Sequence, residues 1–308
     1  MKRAEEAGGF WPPAPPADGQ ARQHFMGGDG NAVARGARGG HRAPPILSLL
    51  ARSGWHRPPI TLAVLLLVWE AVVQLTGVPP FILPGPAAVG TALVARWPLL
   101  LDHALVTGSQ ILAGMVLATA LGFCTGLLLA AFAPARRWLL PVLVVSQALP
   151  VFALAPILVL WLGYGPASKI AMAVLIIYFP LTAALYDGLR RTDPGLLDLA
   201  TLQGASPWQR LALIRLPAAL PALGSGLRVA AAVAPIGAVV GEWVGASAGL
   251  GYLMLHANAR MQIDLMFAAL AVLCTIALAL YATVDHLAAR LTPWQADSVD
   301  HDPEATHR

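Results

Sequence analysis

Six long apolar runs constrain this chain more than any other feature of its sequence. They cover residues 60–77, 110–133, 138–162, 170–186, 218–241 and 265–284. A helix needs about 20 mostly apolar residues to cross the hydrocarbon core of a bilayer. In lipid, a crossing segment must also satisfy its own backbone hydrogen bonds, so each run is predicted to be a helix. The expected fold is an all-α polytopic membrane protein with about six transmembrane helices.

The composition supports a membrane protein and argues against several other classes. Charged residues make up 12% of the 308 residues, whereas soluble domains carry about 25%. Both cysteines lie inside apolar runs and are too few for a disulfide framework. No cluster has metal-ligand spacing, and no Ser/His/Asp arrangement suits catalysis. We therefore predict no catalytic residue, no metal, no cofactor in this chain and no nucleic-acid partner.

Basic residues are distributed unevenly around the runs. Lysine and arginine concentrate before run one, between runs two and three, between runs four and five, and after run six. The alternate segments hold only Arg96, Lys169 and Arg260. Since cytoplasmic loops carry the excess of positive charge, both termini and segment 188–217 are predicted to be cytoplasmic. The expected location is a bacterial inner membrane.

The two ends of the chain differ from the apolar middle. Residues 1–57 are rich in Gly, Pro, Ala and Arg and show no apolar period, so a disordered cytoplasmic tail is predicted. No apolar core of a signal peptide follows Met1. Residues 58–290 are assigned to the transmembrane domain, and residues 291–308 to a short cytoplasmic tail.

Segment 194–217 is specified more tightly than a linker requires. Pro194 can begin a helix, because a first-turn N–H has no intrahelical partner. Asp198 then lies early in that helix, where a negative charge is favourable. Gly204 suits a left-handed stop at its end.

A second short helix is predicted directly after this stop. Ser206 can cap it, with Pro207 at its first position, and Gln209 completes a capping box. Pro217 is expected to close the unit. The prediction is a rigid helix–turn–helix with an apolar face shared by Trp208, Leu211 and Ile214; the alternative is an amphipathic helix lying on the bilayer surface.

This segment resembles the EAA loop of ABC importer permeases. That pattern reads E-A-A, three residues, Gly, nine residues, Ile, one residue, Leu-Pro. Asp stands here for Glu, and Leu199 stands for the first Ala. The positions in register are Asp198, Ala200, Gly204, Ile214, Leu216 and Pro217.

The resemblance extends over about residues 60–290. Segments 81–93 and 226–254 are similar to the sulfonate, taurine and nitrate branch of type I importer permeases. The run that begins at Pro235 looks closest to permeases for pyrimidine precursors of thiamine. The implied substrate is a small polar organic solute, either an aminopyrimidine thiamine precursor or a sulfonate- or nitrate-like anion.

The resemblance also implies partners. Two copies of the permease form the pathway, an ABC ATPase subunit receives the EAA-loop helix of each copy, and an extracytoplasmic solute-binding protein delivers the substrate. The chain has no G-x-x-x-x-G-K-[ST] phosphate loop, so ATP belongs to the partner. The candidate coupling residues are Asp198, Ala200, Gly204, Ser206, Trp208, Ile214, Leu216 and Pro217.

Gate and pathway candidates come from polar and helix-breaking residues at membrane depth. Gln147 and Pro150 lie in run three, where prolines free carbonyls that a water-filled cavity can take up. Arg228 is a pathway candidate, with snorkelling or a structural role as the alternative. Glu242 precedes a glycine-rich hairpin, which it either gates or anchors, and Gly245, Gly249 and Gly251 of that hairpin permit positive φ in a tight turn.

Two rival functions remain at this stage. A polytopic membrane enzyme would need acids or histidines grouped at one depth, and the sequence shows no such group. A passive channel or scaffold would not need the patterned loop. Co-purification with an ATPase subunit separates both rivals from an importer.

The charge asymmetry predicts a labelling pattern. In a variant with Cys124 and Cys274 replaced by alanine, a cysteine at Gln209 should resist an impermeant thiol reagent outside intact cells. A cysteine at Asn258 should react under the same conditions, because it lies in a predicted external segment. Labelling at residue 209 without labelling at residue 258 would reverse the orientation.

Overall fold

The computed structural model describes residues 57–294, and all regular structure in that part of the chain is helical. The predicted tails lie outside it, apart from Arg57 and residues 291–294. The helices are α1 Arg57–Thr76, α2 Pro86–Ala95, α3 Trp97–Ala131, α4 Ala133–Ala148, α5 Val151–Leu162, α6 Pro166–Arg190, α7 Pro194–Leu202, α8 Pro207–Arg210, α9 Leu216–Trp243, α10 Leu250–Ala259 and α11 Ile263–Leu291. A π-helical turn, Leu211–Arg215, joins α8 to α9.

Five helical segments of the described chain are long and apolar enough to cross a membrane. They are α1, α3, α6, α11 and the continuous run Pro207–Trp243 that includes α8 and α9. Helices α4 and α5 qualify together as a sixth, with a bend of 104° between them. The prediction of an all-α protein with about six transmembrane helices is confirmed.

The second span begins earlier than its apolar run. Helix α3 starts at Trp97 and has 35 residues, whereas the run was drawn from residue 110. Polar side chains in the first turns of α3 lower the local hydropathy, so the start of this helix was not included in the apolar run. One of them, Thr107, is buried against neighbouring elements, as is Gln110 at the start of the run, so lipid is not their environment.

The third span is broken, which corrects the prediction of one helix over 138–162. Helix α4 ends at Ala148, Leu149 and Pro150 are extended, and α5 starts at Val151. Pro150 lacks an N–H, and its ring disfavours helical geometry at Leu149. Pro141 and Pro156 remain inside their helices.

Helix α6 packs between α3 and α9 through small residues. A Cβ at Gly122 of α3 would lie 2.6 Å from Leu181 Cδ2 of α6. A Cβ at Gly237 of α9 would lie 2.7 Å from the Cα of Ala173 of α6. Membrane helices associate through such close approach, because lipid supplies no hydrophobic drive between them.

This packing predicts that Gly237→Ala destabilises the bundle. The added methyl group would press on backbone atoms of α6, and overpacking of this kind costs about 1–3 kcal/mol. Gly108→Ala is the matched control, since Gly108 is also helical but has open space around its Cβ position. Thermal unfolding of the purified variants should show a lower Tm for Gly237→Ala alone; equal Tm values would contradict the packing argument.

Candidate functional site

Helix α7 and the turn after it form the first half of the predicted helix–turn–helix. Pro194 begins α7, and the carboxylate of Asp193 caps it by accepting a bond from Gly195 N at 2.8 Å. Gly204 has φ +80°, which confirms the left-handed stop. Ala205 N then donates to Ala200 O at 2.9 Å and closes the turn.

Helix α8 begins as predicted. The Ser206 hydroxyl accepts from Gln209 N at 3.3 Å, and Gln209 Oε1 accepts from Ser206 N at 2.8 Å, so the capping box is confirmed. Arg210 donates to Thr201 Oγ1 at 2.7 Å and ties α8 to α7. The two short helices are therefore held at a fixed angle.

Two details of the sequence prediction are wrong. Asp198 is the fifth residue of α7, beyond its first turn, and Asp193 caps the N-terminus instead. Pro217 does not close the unit, because α8 runs through the π turn into α9 without a break. Pro217 instead lies inside this continuous run, just after the π turn, where it supplies no backbone N–H.

Arg215 fastens this unit to the membrane core. Its Nε donates to Leu189 O at 3.0 Å, and its guanidinium also donates to Ala130 O at 3.5 Å. These carbonyls belong to the last turns of α6 and α3, which leave carbonyls without intrahelical partners. The sequence reasoning used Arg215 only as a positive charge, since its targets come from distant parts of the chain.

Trp208 and Leu211 line the same cavity but differ in burial. Leu211 is buried, whereas Trp208 is 63% exposed and meets the Phe132 ring edge-on with centroids 6.2 Å apart. Ile214 is half-buried. This cavity of about 330 Å³ lies between the unit and the end of α3. The predicted shared face is therefore divided between core and surface.

At the opposite end of the core, Glu242 caps α10. Its side chain is buried, at 1% exposure. It accepts from Thr107 Oγ1 at 2.7 Å and from Gly251 N at 2.6 Å. Leu250 N donates to the same Thr107 hydroxyl at 2.7 Å. A carboxylate at the positive end of a helix is favourable, and these bonds use both of its oxygens.

Gly249 lets the chain approach this carboxylate. It has φ +118°, and a Cβ there would overlap the Glu242 carboxyl group. Its N–H donates to His103 Nδ1 at 2.9 Å. Gly251 is helical and makes no use of the positive φ that glycine permits; its Cβ would crowd Glu242 Oε2, at 2.9 Å. Thr107 and His103 were missed because the polar start of α3 was read as a loop.

Lys169 is a further buried side chain that ties separate elements together at this end of the core. It is 2% exposed, and its Nζ donates to Tyr164 O at 2.8 Å and Gly245 O at 3.0 Å. A buried ammonium is tolerated only when it is paired and hydrogen-bonded. Lys169 therefore holds the α5–α6 connection against the α9–α10 connection. The sequence suggested only an external loop charge.

The other pathway candidates occupy different surroundings. Arg228 of α9 forms an ion pair with Asp285 of α11, with 2.6 Å between Nε and Oδ1. This contact favours the structural alternative for Arg228. Gln147 and Pro150 are exposed beside the break between α4 and α5. The structure does not bring these residues together with Glu242 in one site.

Comparison with known proteins connects this architecture to transport. Residues 118–293, more than half of the chain, match the family described as "Binding-protein-dependent transport system inner membrane component". The chain belongs to this family. It is a permease subunit, which confirms the resemblance drawn from the EAA-like loop.

Curated relatives carry permease names over most of their length. A Haemophilus influenzae protein named "Probable ABC transporter permease protein" is 56% identical over 75% of this chain and 94% of the relative. The Chloroflexus aurantiacus "Riboflavin transport system permease protein" is 39% identical over 83% and 97%. The Halalkalibacterium halodurans "Formylaminopyrimidine transport permease protein" is 35% identical over 77% and 95%.

A solved structure shows the same fold at low identity. A chain of the MetNI methionine ABC transporter, in an inward-facing conformation, matches with a TM-score of 0.57 and 19% identity. The match covers 64% of the permease and 98% of that chain. The helical arrangement is therefore shared with an ABC transporter.

The capping network predicts the effect of Thr107→Val. This near-isosteric change would remove the donor to Glu242 and the acceptor for Leu250 N, which leaves buried polar groups unpaired at a cost of about 1–3 kcal/mol. Thr283→Val is the control, since the Thr283 hydroxyl bonds only within its own helix, to Ala279 O. Limited proteolysis within 244–262 should accelerate for Thr107→Val. Equal cleavage rates would show that Thr107 does not hold α10.

Proposed function

We propose that this permease works as a homodimer in an ATP-driven importer, with an ABC ATPase subunit bound at the 194–217 helix–turn–helix. An extracytoplasmic solute-binding protein delivers the substrate at the opposite end. In this orientation α7, α8 and both termini lie in the cytoplasm, and the α10 cap lies outside. ATP is bound and hydrolysed on the partner subunit.

The supporting observation is an apolar surface on the helix–turn–helix. Leu202 is 86% exposed, Leu213 is 72% exposed, and Trp208 and Leu199 are also exposed. Helix α7 has 9 residues and is too short to cross a bilayer, and α8 is the start of the continuous run Pro207–Trp243, so this surface lies at one end of that span. Exposed apolar patches rimmed by polar residues mark protein or membrane interaction sites, and membership of the permease family favours a protein partner here.

The contacts behind this surface suggest how motion reaches the spans. The capping box and the Arg210–Thr201 bond fix the angle between α7 and α8. Arg215 ties the unit to the ends of α3 and α6. A partner that binds differently in its ATP-bound and ATP-free states would therefore shift these helices with the loop.

The pathway is proposed to run beside the break between α4 and α5. Backbone that is not helical at membrane depth requires a water-filled cavity or surrounding protein. Leu149 and Pro150 are extended there, with the exposed amide of Gln147 one turn away. We place Gln147 and Pro150 along the pathway between two permease copies, with Glu242 and Gly249 holding the external gate in position.

The substrate is proposed to be a small polar organic solute. Relatives at 39% and 35% identity are named for riboflavin and formylaminopyrimidine, and one from Escherichia coli at 30% is named for taurine. A nitrogen heterocycle such as an aminopyrimidine thiamine precursor is the first choice, and a sulfonate-like anion is the second. Stimulation of ATP turnover in the reconstituted complex by binding protein loaded with each solute distinguishes them.

Coupling is tested by Gly204→Val. A β-branched residue at φ +80° costs about 1–3 kcal/mol and should deform the turn without touching the spans. Gly77→Val is the matched control, because Gly77 also has positive φ and open space around its Cβ position. The permease carrying Gly204→Val should insert normally but lose the ATPase in pull-down, or hydrolyse ATP without regard to substrate. Normal binding and transport would reject the loop as the coupling element.

A further inference from the structure

Arg136 and Arg137 begin α4 as an uncompensated basic pair. Both side chains are exposed. Within residues 57–294 the ion pair that forms is Arg228–Asp285, and no carboxylate pairs with either arginine of α4. Arg136 also lies close enough to Arg215 for their like charges to repel. Like charges brought together without a counter-charge favour binding of an anion.

The surroundings of the pair suit a phosphate group. An open concavity of about 480 Å³ is lined by Ala133, Pro134, Arg136, Arg137 and Trp138. Guanidinium groups bind phosphate oxygens through two parallel hydrogen bonds.

The position along α4 points to a lipid phosphate and away from a soluble one. Trp138 is 75% exposed, and the exposed residues that follow it are apolar, among them Val142 and Val145. Tryptophan side chains concentrate at the headgroup level of membranes. Arg136, Arg137 and Trp138 therefore lie within one turn of α4, at the point where its exposed surface becomes apolar.

A second concavity, a groove between α4 and α6, lies further along α4. Arg136, Leu140 and Leu143 share one face of α4, because they are spaced by four and three residues. Leu140 and Leu143 line a cavity of about 200 Å³ together with Leu129 and Phe179. Asp187 and Arg190 line the same cavity, so its charges balance, whereas the concavity beside Trp138 is lined by two arginines and no carboxylate.

We propose that Arg136 and Arg137 bind the phosphate of an anionic phospholipid, with one acyl chain along the groove formed by α4 and α6. A phosphatidylglycerol headgroup has the required charge and size. The assignment to the cytoplasmic leaflet rests on the proposed orientation, whereas headgroup binding itself does not. The lipid would then prop α4, which buries none of its own residues, against the core.

The test is a titration of the full-length permease in neutral detergent. Dioctanoyl phosphatidylglycerol, dioctanoyl phosphatidylcholine and inorganic phosphate are added separately, and Kd is measured by calorimetry. The parent should bind phosphatidylglycerol at least tenfold more tightly than the other two ligands. Each basic residue near an anionic headgroup contributes roughly a factor of five in affinity. Loss of both in R136Q/R137Q should therefore raise the Kd for phosphatidylglycerol about 25-fold. R136K/R137K should give an intermediate loss, since lysine keeps the charge without the planar fork.

R96Q/R260Q is the matched control, because it removes the same charge from the opposite side and should leave Kd unchanged. An unchanged Kd in R136Q/R137Q, or an equal loss in R96Q/R260Q, overturns the proposal. Inorganic phosphate that binds as tightly as phosphatidylglycerol overturns the lipid assignment. If R136Q/R137Q unfolds, R136K/R137K takes its place, and an unchanged Kd for phosphatidylglycerol in that variant overturns the proposal. Loss of the ATPase in pull-down with lipid binding unchanged would make the pair an ATPase contact; the Gly204→Val experiment is independent of all these outcomes.

Discussion

The close approach of α3, α6 and α9 is the constraint on which the rest of the permease depends. Lipid offers no hydrophobic drive between helices, so the three helices gain contact by bringing backbones together at positions such as Gly122 and Gly237. These interfaces hold small or hydroxyl-bearing polar side chains, such as buried Thr182 and the Tyr178–Thr125 hydrogen bond between α6 and α3. The buried charged side chains Lys169 and Glu242 lie near the helix ends.

Each end of this core is tied by a charged side chain to backbone groups of other elements. At one end Arg215 binds the carbonyls of Leu189 and Ala130. At the other, Glu242 binds the N-terminus of α10, and Lys169 binds the carbonyls of Tyr164 and Gly245. The helix–turn–helix and the α10 cap thus attach to the same three helices, which form a contiguous packed route between the two ends of the core.

Features that depend on neighbours in the sequence were predictable. The capping box of Ser206 with Gln209 and the left-handed Gly204 follow from local rules, and both are confirmed. Features that depend on distant neighbours were not. Pro141, Pro150 and Pro156 look alike in an apolar run, yet only Pro150 breaks the helix. The buried Lys169 was read as a loop charge, because its two acceptor carbonyls lie in loops that only the fold brings together.

The broken span formed by α4 and α5 is exposed along most of its length, so it needs a neighbour outside this chain. Across residues 133–162 these two helices bury only Ala155, and their junction leaves Leu149 and Pro150 outside any helix. Lipid cannot satisfy the backbone carbonyls that such a break releases, whereas water or a second protein surface can. The rule that makes each apolar run a helix therefore also requires a neighbour for the one run that is broken. The proposed second copy of the permease, with a hydrated pathway between the two, meets this requirement at the place where Gln147 stands exposed.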